Sequence, residues 1–344
     1  MEASTVKQMT KAPLTVVVPI YNPGVFLKQL MSSMEQAART LQLRLRVELS
    51  NDCSPSPLPE LVVSDWLEIR EHRNVVNLGE GENVNATVKR LAAEGVEWVL
   101  LIHQDDLVSA GWLQLCAEWV VNWNPNMAEF MFAENEGLYD LESIPQSCSL
   151  VGTHEPTPSV VDIPSGQPGI DYVSDNWAWI PSGSLLRTKA FLRMGGFHPH
   201  IRYAGDNDFM VRWLLSGQTV RQVKRRFVYK RIHSGASTAR CLRMGWDSDG
   251  WCYLMQRYAE LSPMVRVRRN HYTWLYRDAR MLLSFLYRRD AQLISSRLRG
   301  ISIGLRSLLA VHLPGLRFLL PASVHELLKN SPVVPASSSP RNSS

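Results

Sequence analysis

At 344 residues, with 45% hydrophobic and 20% charged side chains, the chain has the composition of one large globular domain or of one domain with an appendage; disordered and fibrous classes are excluded. Five scattered cysteines with no CxxC pair argue against a disulfide framework or a zinc site and fit a reducing compartment. The net charge of +5 hides a division, because residues 1–223 carry 16 Lys and Arg against 26 Asp and Glu, while residues 224–320 carry 19 against 5, which matches the second part to an anionic partner.

The predicted elements begin with "LTVVVPI", Leu14 to Ile20, a β-branched run that the turn signal "YNPG" closes; Val25 to Leu43 then has helical spacing. "LRVELS" reads as a second strand ending in the loop "NDCSPSP", "LEIREHRNVV" as a third, "NVNATVKRLAAEG" as a helix and "EWVLLI" as a fourth strand. Strands alternating with helices predict an α/β fold with a parallel sheet and right-handed crossovers. Residues 140–175, rich in Pro, Ser and Gly, read as a long excursion. A strand around Gly183 to Leu186, a "GGF" turn and a helix opening near Asp206 follow. After His233 the chain reads as helical and basic, and "VVPASSSPRNSS" as a disordered tail. The polar segment Met1 to Pro13 does not have the pattern of a signal peptide, and no apolar run reaches the roughly 18 residues of a membrane span, so the chain is expected not to be integral to a membrane.

Open α/β sheets bind ligands beyond the carboxyl ends of their strands. Asn51 and Asp52 follow the second strand, Asn77 and Gly79 the third, and Asp105 and Asp106 the fourth, so three loops converge on one rim. Two adjacent carboxylates repel unless a cation neutralises them. Either a divalent ion, Mg²⁺ or Mn²⁺, sits at this pair, or one of the acids caps the helix that begins near Ser109.

In order and spacing, "LTVVVPIYNPG", "LSNDCSPS", "NLGEGENVNA", "LLIHQDD", "GSLLRTKAFLRMGGF" and "AGDNDFMVRW" resemble the segments of family 2 glycosyltransferases with the GT-A fold, rhamnosyltransferase-like enzymes of glycan synthesis among them. The similarity covers roughly residues 12–240. It implies a GT-A catalytic domain over residues 1–240, with a mixed and mostly parallel sheet flanked by helices, and the chain's own pattern adds a basic helical region over 241–330 and a tail over 331–344. It further implies a nucleotide-sugar donor, UDP- or dTDP-linked, lying across the strand ends. Asp52 takes the place of the acid that accepts from the base. Pro19, Tyr21 and Asn22 border the base pocket, and Asn77, Gly79, Asn85, Gln104 and Asp105 complete the donor site; Val84 stands where a basic residue is common. The usual Asp-x-Asp is His103-Gln104-Asp105 here, followed by Asp106, so Asp105, Asp106 and the downstream His233 are the implied metal ligands.

Displacement at the anomeric carbon needs a base for the acceptor hydroxyl. The resemblance assigns this to the "GDND" segment, with Asp206 chosen, Asp208 second, and Asn207 at the position where the family commonly has its Asp. Trp177, Trp179, Gly195, Gly196 and Phe197 are expected on the acceptor side, as sugar-stacking rings and a close turn. Between Arg266 and Arg317, arginines interleave with Leu, Ile, Phe and Tyr, a pattern of amphipathic helices that suits either an anionic membrane surface or packing on the catalytic domain, whereas nucleic acid lacks a motif. The expected protein is thus an inverting glycosyltransferase acting on a glycan or lipid-linked acceptor, cytoplasmic and peripheral at the inner membrane face. Two rivals are a catalytically inactive binding protein and a sugar-phosphate nucleotidyltransferase, although the latter's glycine-rich phosphate loop is missing from "VPIYNPGV".

Overall fold

The computed structural model describes residues 14–62, 64–138, 158–175, 179–261, 274–283, 285–286 and 290–332. These fall into two compact units, one of residues up to 196 together with 213–232, the other of residues 197–212 with 233–334.

The first unit is built on one sheet. Strands β1 (Leu14–Ile20), β2 (Leu45–Asn51), β3 (Leu67–Arg73), β4 (Trp98–Leu101), β5 (Leu107–Val108), β6 (Phe130–Leu138), β7 (Val160–Ile163), β8 (Ser184–Arg187) and β9 (Val220–Arg231) form it, in the order β3-β2-β1-β4-β8-β6-β9-β5 with β7 on β9. The half β3-β2-β1-β4 is parallel throughout; β8 enters antiparallel between β4 and β6, and β6 pairs parallel with β9. The class is therefore mixed α/β, as the sequence implies, with strand reversal confined to the second half of the sheet.

β1 is a continuous apolar run because both of its faces are covered: Val16, Val17 and Val18 are all fully buried. Helix α1 (Val25–Leu41) turns Leu27, Leu30, Met31, Met34, Ala37 and Ala38 inward at helical spacing. Each such leucine contributes roughly 1.5–3 kcal/mol by its burial. Helix α2 (Glu80–Ala93) opens behind Gly79, and α3 (Ala110–Asn122) is held at its start by the Ser109 hydroxyl, which accepts from the Trp112 N–H. Trp112 is fully buried and donates from Nε1 to the Gly183 carbonyl at 3.0 Å, which ties α3 to the entry of β8.

Several elements depart from the expectation. Part of the 140–175 excursion is ordered, as β7 and the helix Gln167–Asp175; residues 139–157 lie outside the described residues, as does the tail from 333. β5, β6 and β9 have no counterpart in the predicted elements. β9 carries six Arg and Lys in twelve residues, which masks its alternation, yet it pairs with β5, β6 and β7.

The second unit is mainly helical where described, with Ser237–Met244, Trp246–Leu261, Ala291–His312 and Ala322–Lys329, a helical stretch over 274–283, a 3-10 turn over Pro314–Leu319 and the first part of Gly205–Leu215. Its core is ionic as well as apolar. Arg297, fully buried, donates to both oxygens of Asp247 at 2.7 Å and to Asp278 at 3.1 Å, and Arg277 bonds the same two acids. Among the described residues no helix is long and apolar enough to cross a membrane.

Candidate functional site

Parallel strands that end together bring their following loops together, and the first unit does this at the carboxyl ends of β1, β2, β3 and β4. Asp52 leaves β2 buried, yet it meets donors of its own loops. Its Oδ1 accepts from the Leu78 N–H at 2.7 Å and from Asn74 Nδ2 at 3.1 Å, and its Oδ2 accepts from the Gly79 N–H at 2.8 Å. Asn77 Nδ2 donates to the Asp52 carbonyl at 3.0 Å. The carboxylate thus arranges the segment 74–79 around itself. Each of its oxygens offers about two acceptor directions, so Oδ2 keeps one for a further donor. Gly79 is required because its φ of +85° is in the left-handed region, where a side chain would be strained.

Gln104 clamps the first loop to the fourth. Its Oε1 accepts from the Tyr21 N–H at 3.1 Å and its Nε2 donates to the Tyr21 carbonyl at 3.2 Å, while the Asn22 N–H donates to Ser54 Oγ at 2.9 Å. Asn22 and Cys53 both adopt positive φ, of 49° and 58°, so two adjoining loops hold locally strained backbone. Pro19 sits in β1 opposite Ser50; Tyr21 is 45% exposed, and Val75 and Val76 are exposed on the neighbouring loop.

At the end of β4 the paired acids do not cap α3, since Ser109 does. Instead His103, Asp105 and Asp106 each bring a ligand atom within 4.8 Å of the others. Asp106 is buried; its Oδ1 accepts from the Arg231 N–H at 3.2 Å, and its Oδ2 is buried without a hydrogen-bond partner. Burial first and Asp105 second push its carboxyl up to about 6, against the opposing influence of His103, Ser182 and Lys230. The imidazole of His103 faces Glu80 through Nε2 at 3.2 Å and Asp106 through Nδ1 at 3.8 Å. Burial alone would lower this imidazole, but Glu80, Asp106 and Asp105 together outweigh it and leave it raised. Arg231 closes the floor: its guanidinium donates to the Asp105 carbonyl and to Gln29 and lies over the Phe26 ring at 4.9 Å. An unpartnered buried carboxylate oxygen between another acid and an imidazole fits a divalent cation, and the nitrogen and oxygen donors are those of Mn²⁺ and its neighbours.

Other expected residues are placed differently. Asn85 lies on α2 where a Cβ at Gly196 would meet its Oδ1 at 2.3 Å, so Gly195 and Gly196 form a close turn against α2. Trp179 is buried, donates to Ser184 Oγ and packs edge-on against Phe130; Trp177 lies outside the described residues. In the second unit, Phe197 is buried against Phe209. Asp208 is buried too, bonded to Arg212 Nε and to the Tyr253 hydroxyl, both at 2.8 Å. Asp206 is partly exposed in the first turn of Gly205–Leu215, behind Ala204 at a φ of +65°, and its Oδ1 accepts from the Asn207 N–H. His233, also in the second unit, accepts on its carbonyl from the Ala236 N–H. The sequence reading missed Glu80 and Arg231. Glu80 was legible only as an acid in the first turn of a helix, and Arg231 lay in the unrecognised β9.

No family model and no curated protein matches the sequence. Solved structures do resemble it. S. aureus TarS 1–349 in complex with UDP-GlcNAc has a TM-score of 0.54 at 12% identity, covering 93% of this chain and 88% of that chain. TarS 1–349 in a second crystal structure has 0.52 at 11% identity with the same coverage. A mannosyltransferase from Pyrobaculum calidifontis in complex with GDP-Man and Mn²⁺ has a TM-score of 0.43 at 13% identity, over 92% of this chain and 83% of that one. The TarS likenesses show a shared fold, in agreement with the GT-A resemblance.

Proposed function

We propose that the chain is an inverting glycosyltransferase that moves a sugar from a nucleoside-diphosphate donor, UDP- or dTDP-linked, to a hydroxyl of a glycan or lipid-linked acceptor. The observation that carries this reading is the rim itself: Asp52, the Gln104–Tyr21 clamp and the His103–Asp105–Asp106 cluster converge at the strand ends, on a fold shared with a UDP-GlcNAc-bound protein. Asp52, through the free direction on Oδ2, accepts the ring N–H of a uracil or thymine whose face lies by Tyr21. Asp105 and Asp106 would hold a divalent cation, Mn²⁺ or Mg²⁺, which would supply Lewis-acid stabilisation of a leaving diphosphate, worth several kcal/mol.

On the acceptor side, Asp206 takes the proton from the attacking hydroxyl as the new glycosidic bond forms and the bond to the diphosphate oxygen breaks, an assistance typically worth 10²–10⁴ in rate. Attack from the face opposite the leaving group inverts the anomeric centre. Asp206, which is partly exposed, suits this role better than Asp208, which is buried and bonded by Arg212 and Tyr253. Residues 1–240 are the catalytic part in this reading, and the basic helices beyond them the docking part. Helix Ala291–His312 leaves Leu298, Leu305 and Leu309 exposed beside arginines, which supports a peripheral place on an anionic membrane.

Isothermal calorimetry with UDP and dTDP, with and without Mn²⁺, tests the reading. Metal-dependent binding is expected; binding of neither nucleotide overturns it. Asp206→Asn should lower turnover about 10²-fold or more while nucleotide affinity is kept, and retained turnover would move the base elsewhere.

A further inference from the structure

The cluster at the end of β4 holds two acids and a third member, His103, that is not an acid. We infer that His103 is itself a metal ligand, through Nδ1, and that Glu80 is the positioning residue that turns the ring to serve. This deepens the preceding reading, and rests on it only for the nucleotide.

Imidazole has two nitrogens, and a ring that ligates through one donates a proton from the other, normally to a carboxylate that fixes its orientation and raises its basicity. The two nitrogens of His103 already face the groups that this needs. Nε2 is 3.2 Å from Glu80 Oε1, and Nδ1 is the nitrogen turned towards Asp106, at 3.8 Å from its Oδ2. Glu80 stands in the first turn of α2, where the helix's positive end favours a carboxylate. The His103 main chain is anchored independently, since its N–H donates to Ser182 Oγ at 3.1 Å and its carbonyl accepts from the Asp106 N–H. The remaining oxygen of Asp106, buried and without a hydrogen-bond partner, points to the same space.

A nitrogen donor changes which cations are held. Mg²⁺ prefers oxygen ligands and near-ideal octahedral geometry, while imidazole suits borderline transition metals; a set of one imidazole and two carboxylates therefore favours Mn²⁺ over Mg²⁺. The departure from Asp-x-Asp at position 103 is then a change of selectivity and not a loss of the site.

The test uses the full chain, with Mn²⁺ alone and then Mn²⁺ with UDP, read by electron spin-echo modulation and by titration. Wild type should show nitrogen modulation from a directly bound imidazole and hold Mn²⁺ about tenfold or more tighter than Mg²⁺. His103→Asp should still bind Mn²⁺, lose the nitrogen modulation and narrow the gap to Mg²⁺. Glu80→Gln should keep the modulation and weaken Mn²⁺ by about 10- to 100-fold, with Glu80→Asp restoring part of the loss. Failure of Mn²⁺ to bind with or without UDP, or bound Mn²⁺ without nitrogen modulation, or modulation that persists in His103→Asp would each overturn the assignment. Nitrogen modulation with no affinity for UDP or dTDP would leave the ligand assignment standing and remove the transferase.

Discussion

Two regions bury aspartates, and they treat them in opposite ways. In the second unit Asp247 and Asp278 are fully buried, but Arg297 and Arg277 reach both, so each negative charge is neutralised by the chain itself. In the first unit Asp106 is buried beside another carboxylate and receives a peptide N–H on one oxygen and no hydrogen bond on the other. A buried charge is tolerable only when it is paired, hydrogen-bonded or neutralised from outside. The lesson is that a carboxylate's partners, and not its burial, separate structure from chemistry: the helical unit has closed its accounts internally, and the rim has left one open.

This contrast can be broken by measurement. Asp247→Asn should cost about 3–5 kcal/mol of unfolding free energy in urea, because it removes one of the two carboxylate charges that neutralise the buried Arg297 guanidinium. Asp106→Asn, by comparison, should leave the metal-free protein as stable or raise it by on the order of 1 kcal/mol, since it removes a repelled charge. Equal losses at the two sites would erase the distinction. At the rim, Asp52→Ala removes a carboxylate that holds three N–H donors, so a loss of about 2–3 kcal/mol with faster amide exchange at Leu78 and Gly79 is expected.

A smaller effect concerns protons. His198 is buried in the second unit: its Nδ1 accepts from the His200 N–H, so Nε2 carries the proton and donates to the Leu327 carbonyl at 3.1 Å. Burial, the leading cause, holds this imidazole below its ordinary value. The neutral ring is the native form, so its contribution is present above about pH 6.5 and is lost as pH falls from there through the depressed folded value. Thermal scans of wild type between pH 7 and pH 5 should show this loss, and His198→Gln should flatten it. Last in size, Ser109→Ala should cost about 1 kcal/mol by uncapping α3; a much smaller loss would reopen a capping role for the acids of β4.

How much of this was legible in the sequence depends on whether the signal was local. β1 announces itself through a buried β-branched run, β4 through a short apolar one and β2 through alternating Leu and Val, and from their order the convergence of Asp52, Gly79 and Asp105 on one rim follows. The Ser109 cap is local as well, although the sequence alone left Asp105 and Asp106 in competition for it. β9 was hidden because six basic residues in twelve mask its alternation, whereas strand pairing with β6 decides its state. Partnerships across long separations were equally invisible. Nothing in "GEGEN" says that Glu80 meets His103, and nothing in "GDND" says that Asp208 is taken by Tyr253, 45 residues further on. Those pairings are products of tertiary packing, which residue spacing does not encode.

The clamp between Gln104 and Tyr21 has a consequence for the protein's ageing. The primary amide sets an acceptor on the N–H and a donor on the carbonyl of one residue, Tyr21, so the clamp works in a single orientation, with Oε1 on the N–H and Nε2 on the carbonyl. Hydrolysis of that amide to an acid, as happens slowly to exposed glutamines, would set an oxygen against the Tyr21 carbonyl and add a third negative charge beside Asp105 and Asp106. One such chemical lesion would unfasten two loops at once without unfolding anything, and old preparations would lose ligand affinity while keeping their melting temperature.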